Sequence, residues 1–355
     1  MELADDRSSL AEASSSTARL SLRGFWWTLA VLNVGLAAAG WIYATDYSVS
    51  ARIAVPVVSA FLLQASLFLV PIFPAARLRV EARFLPARLA LVLTAASLLP
   101  FLIYSLPTGV FAWPAFLKLA AYCGAVAFLF IVAPARGGKL TWQDALALTL
   151  LAVPMLGGVT FLREIYISPV PEIEPRFDRA LGKLMLFPLG AMAFLSLRQL
   201  PGVDLRPAPS LEDLRIGLKN YLLFLPVGAP LAIGIGFASW APRPWDGWTY
   251  PIELAGHMLG AYLAIALPEE LAFRGIAQNL LGGLLRKPLA AQLIASLLFG
   301  LVHLPSGGFP NWRYALIAAL LGWFCGRAYA QNQSVVPAMV THTLIVVTLR
   351  YAFQR

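Results

Sequence analysis

Apolar runs of roughly 20 residues follow one another along most of this 355-residue chain, and that repetition leaves few folds open. A helix needs about 20 apolar residues to cross the hydrocarbon core of a bilayer. Such runs lie near 24–44, 53–73, 87–106, 114–134, 141–160, 181–198, 219–239, 252–284, 289–304, 311–330 and 334–352, those at 141–160 and 181–198 being the weakest. None alternates with the two-residue period of a membrane β-barrel. The expected fold is all-α: a polytopic transmembrane helical bundle of about 10 spans (9–11), since helices satisfy their own backbone in lipid. Composition agrees. The chain is 59% hydrophobic and 13% charged, against about 25% charged in soluble domains.

The net charge of +9 mostly reports loop arginines. Arg7, Arg19 and Arg23 precede the first run, and Arg77, Arg79, Arg83 and Arg88 follow the second, whereas Arg52 stands alone between the two. The positive-inside rule then puts the N-terminus in the cytoplasm. No soluble basic surface is available, so nucleic acid is not an expected partner. Residues 1–23 form a polar Ser/Ala-rich tail with the composition of a disordered segment, and the first run lacks a small-residue cleavage site, so it reads as a retained span. The expected location is a membrane, with a bacterial inner (plasma) membrane as the setting. Cys123 and Cys325 fall in apolar runs and read as small apolar residues, not as a disulfide.

Two Pro-rich connections, 161–179 and 199–218, interrupt the runs, and Ser210 followed by Asp213 gives the second a capping-box-like helix start. A boundary placed there divides the chain into the tail 1–23, N-terminal transmembrane helices 24–215 of unassigned role, and a C-terminal part 216–355. The last holds all three histidines and an adjacent glutamate pair, Glu269 and Glu270.

That pair is the most informative feature for function. A carboxylate at bilayer depth is expensive and marks a site with a partner. Glu270 has one in Arg274, four residues on and in the favourable acid-before-base order. Glu269 is rotated from it by about 100° and has none. Phe299 and His303 share a helix face, and His342 sits in a run with no other ionisable group before Arg350. If 252–284 is one helix with a kink at Pro268, Glu269 lies about 28 Å from the turn at 286–288 and His303 about 22 Å from it, so the two are nearly level. His342 lies roughly 12 Å beyond the turn at 331–334. His257 falls about 18 Å from Glu269, and an interfacial pair with Glu253 accounts for it.

One unpaired carboxylate and two imidazoles at a common depth suit proton management around a water, and hence peptide hydrolysis. They also suit zinc, although the HExxH pattern of common zinc proteases is absent. A proton pathway in a transporter uses the same buried carboxylate, and a structural ion pair needs no chemistry at all. No internal repeat supports an inverted-repeat transporter.

EELAFR at 269–274, FGLVH at 299–303, and the closing stretch with Gly322, Gly326, Pro337 and His342 resemble the CPBP family of intramembrane proteases, which includes the prenyl-protein CAAX endopeptidases and bacteriocin-processing and self-immunity proteins. The resemblance covers roughly 216–353. It implies a CPBP-type core in the C-terminal half and an endopeptidase that hydrolyses a peptide bond of a membrane-associated or lipid-modified protein with a Glu-activated water. It further implies that Glu269 is the base and Glu270 is held by Arg274, with Phe299 as structural support. His303 and His342 would orient the water and stabilise the oxyanion. Membrane lipid and a membrane-anchored polypeptide are the implied partners. No metal is implied, and zinc on Glu269, His303 and His342 is the less favoured alternative. One position departs from the pattern: Val346 stands where the family carries Asn or Asp, with Thr341, Thr343 and Asn279 as substitute donors. A proton-coupled transporter and a non-catalytic immunity- or scaffold-type membrane protein are the rival functions.

Overall fold

The computed structural model describes residues 22–156, 160–170, 172 and 178–354. The polar tail expected over 1–23 lies outside them except for its last two residues. In chain order the described helices are α1 Arg23–Asp46, α2 Ala51–Leu69, α3 Pro74–Arg83, α4 Pro86–Thr108, α5 Trp113–Val132, α6 Trp142–Ala152, the single turn α7 Phe161–Ile165, α8 Ala180–Leu197, α9 Leu211–Gly234, α10 Thr249–Leu285, α11 Pro288–Leu301, α12 Trp312–Asn332 and α13 Val335–Ala352. Two short strands, β1 Ser239–Trp240 and β2 Phe353–Gln354, pair antiparallel.

Eight of these helices are long and apolar enough to cross a membrane: α1, α2, α4, α5, α8, α9, α10 and α13. The protein is an integral membrane, all-α bundle. The runs at 289–304 and 311–330 become α11, an apolar helix of 14 residues, and α12, a helix of 21 residues that carries Arg313 and Arg327. The run at 141–160 is not among these eight candidate spans of the described residues. It forms the 11-residue α6 and then a 3₁₀ turn at Val153–Met155, where Pro154 supplies no N–H to continue the helix.

The residues divide into two compact units, one of residues 1–127 and 165–192 and the other of 128–164 and 193–355. In the first unit the apolar faces of α2, α4 and α8 meet. Phe68 packs on Phe187 at 4.4 Å between ring centroids, and the Cys123 thiol lies 3.9 Å from the Met185 sulfur. The second unit carries the glutamate pair and every histidine. A buried ion pair in it, Arg198 to Asp144 at 2.9 Å, fastens the loop before α6, because Arg198 also donates to the Gly137 carbonyl and Asp144 closes a capping box with Thr141. That loop rests on α10, with the Leu140 N–H donating to the Leu280 carbonyl.

α10 is one continuous helix of 37 residues, as expected for 252–284. Its backbone is not uniform. Wide π turns at Ala261–Ala266 and Leu271–Gln278 bracket one α turn, Leu267–Glu270, that holds both glutamates. Pro268 lacks an N–H and its ring crowds the carbonyl four residues back, and a widened turn before it relieves both demands. Such π turns are frequent at functional sites.

Candidate active site

Glu270 and Arg274 are fully buried, and their i, i+4 spacing puts them face to face. The Arg274 Nη1 lies 3.1 Å from Glu270 Oε2 and 3.2 Å from Oε1. Its Nη2 donates to the Gly322 carbonyl at 2.8 Å. One turn along, Gln278 Nε2 donates to the Gly326 carbonyl at 3.2 Å. The two glycines of α12 explain why these polar side chains reach its backbone. A Cβ at Gly322 would sit 3.1 Å from Arg274 Nη2, and one at Gly326 would sit 2.8 Å from Gln278 Oε1. Small residues are how membrane helices come this close.

Phe299 roofs the ion pair. The Arg274 guanidinium carbon stands 4.7 Å from its ring centroid, within cation–π range. The same ring meets His303 at 4.8 Å and His342 edge-on at 5.8 Å. Phe299 is the common wall of the whole cluster.

His342, 2% exposed in the middle of α13, makes the contact that local spacing does not show. Its Nδ1 lies 2.6 Å from Glu270 Oε1, so the ring N–H donates to the carboxylate. The opposite nitrogen, Nε2, is 3.8 Å from Glu269 Oε2. His342 thus stands between the two glutamates. Glu270 is spent on Arg274 and His342, whereas Glu269 keeps a side chain 29% exposed with the His342 Nε2 edge 3.8 Å away. Cys325 joins from α12: one ligand-type atom each of Glu270, Cys325 and His342 fall within 4.8 Å of one another. Within this group Glu270 accepts from Arg274 and His342, and the thiol faces the Ala338 carbonyl at 3.6 Å. Cys325 is therefore more than the small apolar filler its surroundings in the sequence suggest.

His303 is placed differently. It lies two residues beyond the end of α11, and its Nδ1 is 2.7 Å from the Phe299 carbonyl, to which the ring N–H donates. Among the described residues no ion pair joins it to either glutamate; it reaches the cluster through Phe299. His257 is outside the site, as expected, but its partner is not Glu253. Its Nδ1 meets the Tyr351 hydroxyl at 2.8 Å, and Glu253 pairs with Arg243 at 2.8 Å. Asp246 also bonds Arg243, and these two carboxylates hold its guanidinium above its ordinary pKa.

Residues 251–348 match the family model of type II CAAX prenyl endopeptidases, Rce1-like. This segment belongs to the CPBP family of intramembrane proteases. The match takes in Glu269, Glu270, Arg274, Phe299, His303 and His342, so the CPBP segment contains every candidate residue. No curated protein and no solved structure matches the chain.

At the position where the CPBP pattern departs, Val346 packs against a cluster of Ala261, Val347 and Tyr351. Of the three substitute donors, Thr341 is bonded to the Gly217 and Pro337 carbonyls and Asn279 to the Pro201 carbonyl. Only Thr343, 2% exposed one residue from His342, has a buried hydroxyl with no partner among the described residues.

Proposed function

We propose that this protein is an intramembrane endopeptidase in which Glu269 activates a water for attack on a peptide bond of a membrane-anchored or lipid-modified polypeptide. The observation that carries the reading is the unequal standing of the two adjacent carboxylates. Glu270 is committed to a cation and an imidazole, and Glu269 is half-open with one imidazole edge beside it. A general base needs a lone pair that its water can reach, and of the two carboxylates Glu269 is the one with exposed surface.

In this scheme Glu269 takes a proton from water as the oxygen adds to the scissile carbonyl. His342, oriented through Nδ1 by Glu270, presents Nε2 to the same water. His303, across Phe299, offers a proton acceptor at the edge of the site, and the Thr343 hydroxyl is the donor offered to the oxyanion in place of the polar side chain missing at Val346. Collapse of the tetrahedral adduct passes the proton to the departing amine. The cluster works without a metal in this reading. Each imidazole donates its Nδ1–H to an oxygen, an arrangement that also suits metal ligation, so zinc on Glu269 and the two Nε2 atoms is the alternative that chelation decides. Loop arginines favour a cytoplasmic N-terminus in an inner membrane.

The test uses the full chain in proteoliposomes with a farnesylated CAAX peptide, the probe suggested by the matched family. Cleavage by the wild type, no cleavage by Glu269→Gln, and indifference to chelators are expected. Peptide turnover that survives Glu269→Gln sinks the assignment. Glutamate-dependent proton flux without any peptide product favours a transporter instead.

A further inference from the structure

His303 is the one candidate residue that does not ride inside a helix. Its backbone N–H donates to the Gly300 carbonyl in a turn after α11, so its position depends on the loop 302–311. That loop is braced. The His303 carbonyl accepts from the Ser306 N–H, and the Ser306 carbonyl accepts from the Asn311 side-chain amide at 2.8 Å. The Asn311 N–H reaches the Leu304 carbonyl, and its Oδ1 caps α12 by accepting from the Tyr314 N–H at 3.1 Å. Asn311 uses both ends of its amide to tie the His303 turn to the first turn of α12. The side chain delivered by that turn is Tyr314, whose ring lies 4.8 Å from the His303 imidazole at 57°. Phe299 lies at the same centroid distance and 48°. Phe237 backs Tyr314 at 5.5 Å.

We propose that Tyr314, delivered by Asn311, is a positioning residue for His303 that locks the imidazole in its Nδ1–H tautomer with Nε2 turned toward the site. This rests on the endopeptidase reading above. A neutral imidazole can rotate about its last side-chain bond and exchange tautomers, and only one orientation lets Nδ1–H meet the Phe299 carbonyl. Two rings about a van der Waals layer from the imidazole resist that rotation, whereas the hydrogen bond alone does not. Neither residue belongs to the motif that carries the family resemblance, and the tautomer decides the chemistry. Neutral His303 then offers a lone pair at Nε2, to accept a proton or hydrogen bond, and no donor.

Three histidines make the test direct. Imidazole nitrogen shifts are recorded on full-length, histidine-labelled protein in lipid, each signal assigned with a single histidine variant. His303 should show a protonated Nδ1 and a bare Nε2. Tyr314→Leu, which keeps bulk without a ring, should show both tautomers, and Tyr314→Phe should restore the single one. With the farnesylated peptide, Tyr314→Leu should lower kcat by roughly 10–100-fold with little change in KM, as for a misplaced catalytic group, and Tyr314→Phe should recover most of it. If Tyr314→Leu does not fold, Asn311→Ala tests the same relay and should mix the tautomers. A single unchanged His303 tautomer in the Leu or Ala variant overturns the proposal, as does a Phe variant that loses as much as Leu. If the wild type cleaves nothing, the endopeptidase reading falls, and the nitrogen shifts still decide the positioning.

Discussion

His342 and His303 fill matching places in a two-histidine site, yet the chain holds them by different means. His342 sits in the middle of α13, 2% exposed, and is fixed by a carboxylate that is itself fixed by an arginine. His303 sits past a helix end and is fixed by two rings and its own backbone. The first arrangement commits stability and chemistry to the same atoms, because removing Glu270 or Arg274 leaves a charge buried without its partner and removing His342 takes a donor from Glu270. The second separates them: the rings can be altered without stranding a charge. A membrane site can thus have one anchored half and one adjustable half.

The largest effect that separates the halves is expected at His342. His342→Ala should lower turnover by about 10³–10⁴-fold, in the upper range of acid–base contributions, and should also lower the unfolding midpoint because Glu270 loses a donor. His303→Ala should lower turnover by about 10²-fold with an unchanged midpoint. Equal midpoints for the two variants would erase the distinction. Next is the backbone that lets Arg274 in. Gly322→Val adds atoms where a Cβ already lies 3.1 Å from Arg274 Nη2 and 3.2 Å from the Ser296 Cα, and overpacking of this kind costs about 1–3 kcal/mol. Equilibrium unfolding in mixed micelles should show it; a neutral result would mean that the α10–α12 approach is looser than described. Smallest is Tyr351→Phe, which leaves His257 Nδ1 without its hydroxyl and should cost about 0.5–1.5 kcal/mol with no change in turnover. A loss of turnover there would extend the site to His257.

Some of these contacts follow from local spacing in the sequence, and others depend on partners far apart in the chain. Contacts at a four-residue spacing were legible: Glu270 with Arg274 inside α10, and Phe299 with His303 across the end of α11. The long helix through 252–284 was legible from its apolar length. The His342–Glu270 bond was not, because 72 residues separate the partners and no local rule links them. The same spacing rule misled at Glu253 and His257, where Arg243 and Tyr351 from other segments are the better partners. At 141–160, apolar composition suggested a span, but a turn around Pro154 ends α6 after 11 residues. Asp144 and Arg198, 54 residues apart and both buried, form an ion pair that composition conceals. Cys325 looked inert because its neighbours in the chain are apolar, and only the approach of α12 to α10 and α13 brings it to the glutamate.

The central claim is that two adjacent glutamates divide the labour, one for chemistry and one for structure. It is tested most directly by measuring turnover of the farnesylated peptide and the unfolding midpoint on Glu269→Gln and Glu270→Gln from one preparation. Glu269→Gln should lose turnover at a wild-type midpoint. Glu270→Gln should lose midpoint by the equivalent of about 3–5 kcal/mol, the cost of leaving Arg274 buried without its counter-charge. Two variants that fall together in both measurements, or a Glu269→Gln that still turns over, would contradict it.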